Sequence, residues 1–259
     1  GRHPNLFGHT NGLVYANGRD RAVTWMNSTA WGRPIIPRSG YIVEFNALYY
    51  NAKKFYQQLL VDDGRPERLI TAERIEAECR QFEESFRATF VNHCGYLFDY
   101  VDGGNADWSV RPNQLLAIAL DFSPLTLRER KAVLDICTRE LKTPKGIRSL
   151  SPKSGGYTPY YVGHQQQRDY AYHQGTAWPW LTGFYLEAYL RVYRMSGVNY
   201  IERQLIGFEE ELFYHCVGTI PELFDGNPPF SGRGAISFAM NVSGILRAIR
   251  LLEKHRAEA

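Results

Sequence analysis

The chain has 259 residues, of which 44% are hydrophobic and 22% are charged, so its composition is that of a globular protein rather than of a disordered chain. This length allows one large domain or two small ones. The formal net charge is only +3 and no block of like charge is present, which argues against nucleic acid or acidic lipid as a partner.

The order of predicted elements begins with turns and continues with helices. Residues 1–43 are rich in Gly, Pro, Arg and Asn and show no lasting periodicity, which indicates loops. The segment 142–170 is predicted to be a second long loop, of a length usual for functional or disordered segments. No hairpin pattern is evident. We therefore predict an all-α protein with seven helices, at 44–60, 71–92, 112–120, 126–141, 174–195, 199–215 and 234–254.

Two of these helices differ in how much of their surface is apolar. In 71–92 the apolar residues recur every three or four positions and leave one charged face: Ile75, Cys79, Phe82, Phe86 and Phe90. The segment 174–195 is apolar around most of its circumference. A helix of that kind is buried by neighbours on both sides, so 174–195 is predicted to be an inner helix and 71–92 an outer one.

The cysteines and the apolar segments bear on the protein's environment. Cys79, Cys94, Cys137 and Cys216 are widely spaced and form no C-x-x-C pair, so we predict reduced, mostly buried thiols, no metal site and a cytoplasmic protein. No stretch reaches the roughly 18 apolar residues of a membrane span, so a membrane partner is not expected. The first residues lack the apolar region of a signal peptide, but the chain begins with Gly1 and not with Met, as a fragment or processed product would.

Three segments carry many polar and aromatic residues, and each precedes a predicted helix. They are TWMNSTAWGRPIIPRSGYIVEFNALYYNA at 24–52, RDYAYHQGTAWPW at 168–180 and IPELFDGNPPFSGRG at 220–234. We expect these loops to meet at one rim of the helical scaffold. The chain contains 14% aromatic residues. Aromatic rings stack on sugars, but large helical cores also use them, so composition alone leaves both explanations open.

These segments, together with RPNQ at 111–114, resemble the C-terminal glucosidase domain of glycogen debranching enzymes. The usual patterns of that family run close to TWMDA, TPR-x-G-x-x-VEINALWYNA, RPNQ, YHQGTVWPW and EIFDGD. The resemblance extends from about residue 12 to about residue 248. It implies hydrolysis of the α-1,6-linked glucose stub of glycogen or branched dextrin, with inversion, in a chain that also carries the rest of a debranching enzyme.

The resemblance also implies a fold, the (α/α)6 toroid. In that family the acid precedes the sixth helix and the base precedes the twelfth. Here TWMN precedes the first predicted helix and PELFDG the seventh, and sixth to twelfth inclusive is also seven helices. Residues 1–259 are thus expected to form the C-terminal part of a single glucosidase domain, an incomplete toroid without helices one to five.

Inverting hydrolysis needs a carboxylic acid and a carboxylate base roughly 6.5–9.5 Å apart. By resemblance Glu222 is the base, although a lone Glu before a helix also serves as a charge partner of the helix dipole. Asn27 occupies the position of the acid. An amide cannot donate a proton at neutral pH, so either activity is crippled or another residue acts. Glu44 is the nearest candidate acid, and a substrate-binding or helix-start role is its alternative.

Asn27 also fits the N-x-[ST] glycosylation pattern, as does Asn241. The neighbouring Trp25 and Arg38 favour a pocket over a glycan-bearing loop, and Asn241 falls inside a predicted helix. The resemblance further implies that a set of polar and aromatic residues contacts the substrate, and helix-start or structural roles remain the alternatives. These residues are Trp25, Arg38, Arg111, Asn113, Gln114, His173, Gln174, Thr176, Trp178 and Asp225. Asp169 and Asp225 are also candidate supports of the pocket or of helix N-termini.

No dinucleotide fingerprint, P-loop or H-E-x-x-H motif occurs, so no cofactor and no metal are expected. Two other functions remain open. The first is a glucan-binding or structural remnant without catalysis, suggested by Asn27. The second is another toroidal inverting hydrolase, trehalase-like or glucoamylase-like.

Overall fold

The computed structural model describes residues 3–215 and 217–257, and most of its regular structure is helical. Helices account for 49% of the chain and strands for 12%. The prediction of a mainly helical protein is confirmed, whereas the prediction of an all-α protein without hairpins is wrong in part. In the described residues the α-helices are α1 Val43–Asp63, α2 Pro66–Phe90, α3 Leu115–Ala119, α4 Leu127–Glu140, α5 Gln165–Ala171, α6 Trp180–Tyr193, α7 Val198–Ile206, α8 Glu211–Tyr214 and α9 Ala239–Ala257.

Helices α1 and α2 form a helical hairpin. Gly64 adopts a left-handed conformation (φ 72°) that ends α1, and Pro66 stands in the first turn of α2. Helix α2 begins five residues earlier than predicted because Pro66 provides a start signal that precedes the apolar stripe. The stripe itself is confirmed, since all of its members are buried: Ile75, Cys79, Phe82, Phe86 and Phe90.

Helix α6 is the most enclosed long helix, as predicted. It packs against α3, α4 and α9. Its crossing with α9 is close, because a Cβ atom on Gly183 would lie only 2.5 Å from the carbonyl oxygen of Gly244. The predicted start at residue 174 is wrong, since residues 174–179 make a turn and a short strand before α6 begins.

Other predicted helices are confirmed with changed limits. Helix α4 has the capping box of Thr126 and Glu129 at its start. The segment 112–120 consists of a 3₁₀ turn, Pro112–Gln114, followed by α3. The segment 199–215 is divided into α7 and α8 by a turn that begins at Gly207. The predicted loop 142–170 contains a hairpin and most of α5, neither of which was predicted.

The missed strands are only two or three residues long, too short to show a period of two. They form two antiparallel five-stranded sheets, in the orders β1-β2-β5-β6-β7 and β12-β11-β10-β9-β8, and the hairpin β3-β4. The strands are β1 Leu6–Gly8, β2 Val14–Ala16, β3 Thr29–Ala30, β4 Arg33–Pro34, β5 Gly40–Ile42, β6 Tyr100–Asp102, β7 Asn105–Ala106, β8 Lys142–Thr143, β9 Gly146–Arg148, β10 Ala177–Trp178, β11 Leu223–Phe224 and β12 Gly232–Arg233.

The sheets fix the loops that precede three helices. Strand β5 leads directly into α1, and β10 leads into α6 through Pro179. Strand β11 pairs with β10 and follows Glu222 directly. Two of the three polar segments identified in the sequence are therefore hydrogen-bonded to each other before their helices begin.

The cysteines partly follow the prediction. Cys79 and Cys137 are free and buried, and Cys94 is free and exposed. Burial raises the pKa of the Cys137 thiol. Cys216 lies outside the described residues. None of the described helices is both long and apolar enough to cross a membrane.

Candidate active site

The three polar segments meet at a cluster of aromatic rings. We call Trp25, Tyr172, His173, Trp178 and Trp180 the aromatic cluster. The ring of Trp25 stands edge-on to those of His173, Trp178 and Trp180, with centroid distances of 5.1, 5.6 and 5.2 Å. The ring of Tyr172 lies 4.9 Å from that of Trp178, and its hydroxyl reaches Glu222. The structure thus brings residues of all three segments together.

Glu222 is half-buried and its carboxylate is held from two sides. The Tyr172 hydroxyl donates a hydrogen bond to Oε1. The backbone N–H of Ala235 donates to Oε2 at 2.8 Å. A Cβ atom on Gly234, where φ is +71°, would lie 2.3 Å from Oε2, so this position requires glycine. The carboxylate is therefore fixed in one orientation.

Asn241, at the start of α9, holds the backbone beside Glu222. Its amide nitrogen donates to the carbonyl oxygens of Pro221 and Glu222, at 2.6 and 2.7 Å. Its amide oxygen accepts a hydrogen bond of 3.0 Å from the backbone N–H of Trp180. Asn241 is fully buried, so its N-x-[ST] pattern does not mark an accessible glycosylation site. This role was not predicted, because it depends on a contact between the starts of α6 and α9.

Asn27 lies at the edge of the aromatic cluster. Its side chain is exposed, and its backbone N–H donates to the carbonyl oxygen of Trp25 at 3.0 Å. The next residue, Ser28, contacts Nδ1 of His173 through its hydroxyl at 3.2 Å. An amide thus occupies an exposed position next to Trp25. Trp31, two residues beyond the start of the β3-β4 hairpin, is 87% exposed.

A chain of buried polar groups runs from the aromatic cluster to the start of α1. The Trp25 indole N–H donates to Oδ1 of Asn113, and the Asn113 amide donates to Oδ1 of Asp99, both at 2.7 Å. Arg38 Nε donates to Oδ2 of Asp99 at 2.7 Å, and the rest of its guanidinium contacts Glu44. We call Trp25, Asn113, Asp99, Arg38 and Glu44 the buried polar chain. Asp99 was not predicted, since it lies outside the three polar segments and RPNQ.

The charges of this chain compensate one another. Burial acts to lower the pKa of Arg38, but the charges of Asp99 and Glu44 outweigh burial and raise it. Burial raises the pKa of Asp99, and the nearby Arg38 opposes that rise. Glu44 is 3% exposed and both of its carboxylate oxygens contact Arg38. This arrangement fits the helix-start alternative for Glu44 better than the role of an acid that faces a substrate.

Arg111 connects the loops beneath the cluster. Its guanidinium donates to the carbonyl oxygens of Ser149 and His173, at 3.2 and 2.8 Å, and to Oε1 of Gln174 at 2.7 Å. Burial lowers the pKa of Arg111, although Asp99 acts in the opposite direction. A guanidinium so fully enclosed positions Gln174 and the backbone of His173.

His173 is a neutral ring at physiological pH. It is 1% exposed and stacks on Trp178 with an interplanar angle of 12°. Burial, with the positive charges of Arg111 and Arg38, lowers the pKa of His173 to about 3. The ring therefore keeps one nitrogen as an acceptor across the usual pH range.

The remaining predicted contact residues have polar groups engaged within the protein. Gln114 accepts a hydrogen bond from the backbone of Leu97 and donates to that of Arg111. Thr176 donates to the Tyr172 carbonyl oxygen and accepts from the Trp178 indole. Sugar contacts by these residues stay predictions.

Asp225 and Asp169 differ in their surroundings. Asp225 is 1% exposed, pairs with Arg233, and accepts a hydrogen bond of 2.8 Å from the backbone of Tyr161. It thus joins the loop before α5 to the β11-β12 hairpin. Asp169, in α5, is half-buried and accepts a hydrogen bond from Gln165.

Among residues 3–215 and 217–257, no group of three or more His, Cys, Asp or Glu side chains could hold a metal ion.

Comparisons with known proteins extend these observations. A sequence model of the amylo-alpha-1,6-glucosidase family matches residues 6–247. Over 223 residues the chain is 26% identical to the glycogen debranching enzyme of Saccharomyces cerevisiae, a match that covers 70% of this chain. The match spans only 14% of the length of that relative.

Solved structures share the fold. Neutral trehalase from Saccharomyces cerevisiae superposes with a TM-score of 0.60 at 14% identity, over 88% of this chain and 42% of that one. A GH63 mannosylglycerate hydrolase from Thermus thermophilus, bound to Tris, gives a TM-score of 0.58 at 16% identity, over 83% and 46% of the two chains. At these identities the likeness concerns the fold alone.

Proposed function

Because the chain belongs to the amylo-alpha-1,6-glucosidase family, a family of glycoside hydrolases, we propose that it hydrolyses α-1,6-linked glucose stubs of glycogen or branched dextrin with inversion. In this proposal Glu222 is the general base that activates a water molecule. The half-buried rings of the aromatic cluster, Trp25, Tyr172 and Trp180, provide apolar faces and edges of the kind that bind glucose. No cofactor takes part, because two carboxyl groups are sufficient for this reaction.

The observation that carries the proposal is the environment of Glu222. Its carboxylate accepts hydrogen bonds from Tyr172 and Ala235, so both oxygens are oriented, and it stays half-buried beside the cluster. A charge partner of the helix dipole would not need hydrogen bonds to both carboxylate oxygens. Glu222 also lies 16 residues before Phe238, the residue that precedes α9, outside the first turn of that helix.

Asn27 decides how well the reaction proceeds. It stands at the family's acid position but can donate no proton to the leaving oxygen. Glu44 is engaged by Arg38 on both oxygens, so it is a poor replacement. Hydrolysis of the α-1,6 bond by this sequence is therefore proposed to be slow. The same observation favours a second candidate, a glucan-binding protein with little catalysis.

The proposal has a structural side. The helices are taken to form part of an (α/α)6 toroid, as seven of its twelve main helices, within a single glucosidase domain. The yeast relative is far longer than the matched part, which supports a role inside a larger debranching enzyme chain. A cytoplasmic location is part of the proposal. Glycogen or branched dextrin is the proposed partner.

Glucose release tests the proposal. The full-length protein is incubated with glucosyl-branched dextrin, linear α-1,4 dextrin and trehalose in parallel. Release from the branched dextrin alone supports the proposed function. Release chiefly from trehalose or linear dextrin would indicate a trehalase-like or glucoamylase-like hydrolase, and dextrin binding without release would favour the binding protein.

A further inference from the structure

We propose that Tyr172 is a positioning residue for the base, whose hydroxyl holds Oε1 of Glu222 and keeps the carboxylate ready to accept a proton from water. This inference rests on the proposed function. Tyr172 lies in the RDYAYHQGTAWPW segment, where a role was predicted for its neighbour His173 but not for Tyr172 itself.

The geometry makes the Tyr172 hydroxyl a fixed donor. The ring of Tyr172 is packed between Tyr161, at 5.6 Å, and the cluster rings of His173 and Trp178, at 4.5 and 4.9 Å. Its carbonyl oxygen accepts hydrogen bonds from Thr176 and from the Trp178 indole, at 2.7 and 3.3 Å. Ring and backbone are thus both held, so the hydroxyl is directed at Glu222 without further ordering.

The two donors to Glu222 differ in kind. Ala235 donates from the backbone to Oε2, and a side-chain substitution leaves that bond in place. Tyr172 donates from a side chain to Oε1, so Tyr172→Phe removes this hydrogen bond and keeps the ring. The carboxylate then retains one anchor and gains rotational freedom. A hydrogen bond to a charged group contributes more than one between neutral groups.

The charged surroundings of Glu222 are simple. Among residues 3–215 and 217–257, Tyr172 is the titratable side chain that is hydrogen-bonded to Glu222, and the charge of Glu222 also acts on Tyr161. Arg168 and Asp169 of α5 act on Tyr161 with opposite signs. Arg233 of β12 is paired with Asp225. Loss of the Tyr172 hydroxyl therefore removes the side-chain hydrogen bond of the Glu222 carboxylate and leaves the backbone one from Ala235.

The chain contains a matched control. The hydroxyl of Tyr50 in α1 donates to the carboxylate of Glu83 in α2, outside the aromatic cluster. Burial raises the pKa of Tyr50 and of Tyr172, and in both cases the partner carboxylate adds to that rise. Tyr50→Phe therefore removes the same kind of bond from a place without a proposed role in catalysis.

The test uses α-glucosyl fluoride and measures fluoride release from pH 4 to pH 8. Fluoride leaves with little help from an acid, so this substrate reports on the base despite Asn27. We expect Tyr172→Phe in the full-length protein to lower kcat about tenfold with KM within about twofold. Its kcat/KM should fall by a similar factor across this pH range. Tyr50→Phe should keep the parent profile.

The outcomes separate the two proposals. If Glu222→Gln abolishes fluoride release but Tyr172→Phe matches the parent in kcat and pH profile, the positioning role is wrong and the proposed function stands. A Tyr172→Phe chain that fails to fold by circular dichroism would make the hydroxyl structural and overturn the inference. If neither the parent nor its Asn27→Asp variant acts on the fluoride or on branched dextrin, both proposals fail.

Discussion

The Arg38 guanidinium contacts both carboxylate oxygens of Glu44, and the two side chains are 2% and 3% exposed. A buried pair of this kind is costly to break, because removal of one charge leaves the other without compensation. The same pair occupies the carboxylate that would otherwise be the nearest substitute for the acid that we propose is lacking at Asn27. A substitution at Glu44 can distinguish a structural role of this residue from a catalytic one.

Glu44→Gln is expected to lower the free energy of unfolding by about 3 kcal/mol, measured by urea denaturation, because Arg38 keeps only Asp99 as a charged partner. Glu78→Gln, which breaks the exposed pair of Glu78 with Lys53, is the control and should cost less than about 1 kcal/mol. If Glu44→Gln keeps the stability and the fluoride release of the parent but no longer releases glucose from branched dextrin, Glu44 is the acid.

The neutral state of His173 predicts a pH dependence of stability. Burial, Arg111 and Arg38 lower its pKa to about 3 in the folded chain, from an ordinary value of 6.5. Between these values the unfolded chain binds a proton that the folded chain does not. The free energy of unfolding should therefore fall as pH decreases from about 6.5, by up to about 1.4 kcal/mol per pH unit.

The measurement compares urea unfolding at pH 7 and pH 5. His173 alone should contribute about 2 kcal/mol to the difference, and His173→Gln should remove that part. His93→Gln, at an exposed histidine, should leave the difference unchanged. An equal pH dependence in the parent and in His173→Gln would show that the ring is not held neutral by its surroundings.

An apolar face on α1 predicts self-association of the chain. Phe55 and Leu59, one helical turn apart, are 56% and 50% exposed, and Tyr56 beside them is 48% exposed. Light scattering at rising protein concentration should show species larger than a monomer. Serine at both positions 55 and 59 should reduce their amount, whereas Leu127→Ser, at an isolated exposed leucine of α4, should not. A parent that stays monomeric at about millimolar concentration would contradict this.

The sequence predicted burial best where the apolar residues of a single helix determine it. The stripe from Ile75 to Phe90 and the enclosed helix α6 were both foreseen, because apolar periodicity depends on the segment alone. Strands of two or three residues were missed for lack of length. The polar segments were identified, but Asp99 and Asn241 were not, since their roles depend on partners 61 residues away, Arg38 and Trp180 respectively.

Asn27→Asp should restore an acid at the family's position. We expect turnover of α-1,6-branched dextrin to rise at least about tenfold, a cautious part of the 10²–10⁴-fold that general acid catalysis contributes. Fluoride release from α-glucosyl fluoride should change little, because that substrate hardly needs an acid. A rise of both activities by the same factor would point to improved binding and not to acid catalysis.

The most direct test of Glu222 as the base is the anomeric form of the glucose first released from glucosyl-branched dextrin, followed by proton NMR. In the Asn27→Asp protein, with Glu222 as the base that activates water, inversion requires β-glucose to appear before mutarotation. The additional change Glu222→Gln should abolish release while the protein still folds and binds dextrin. Initial α-glucose, or unchanged release after Glu222→Gln, would contradict the assignment of Glu222 as the base.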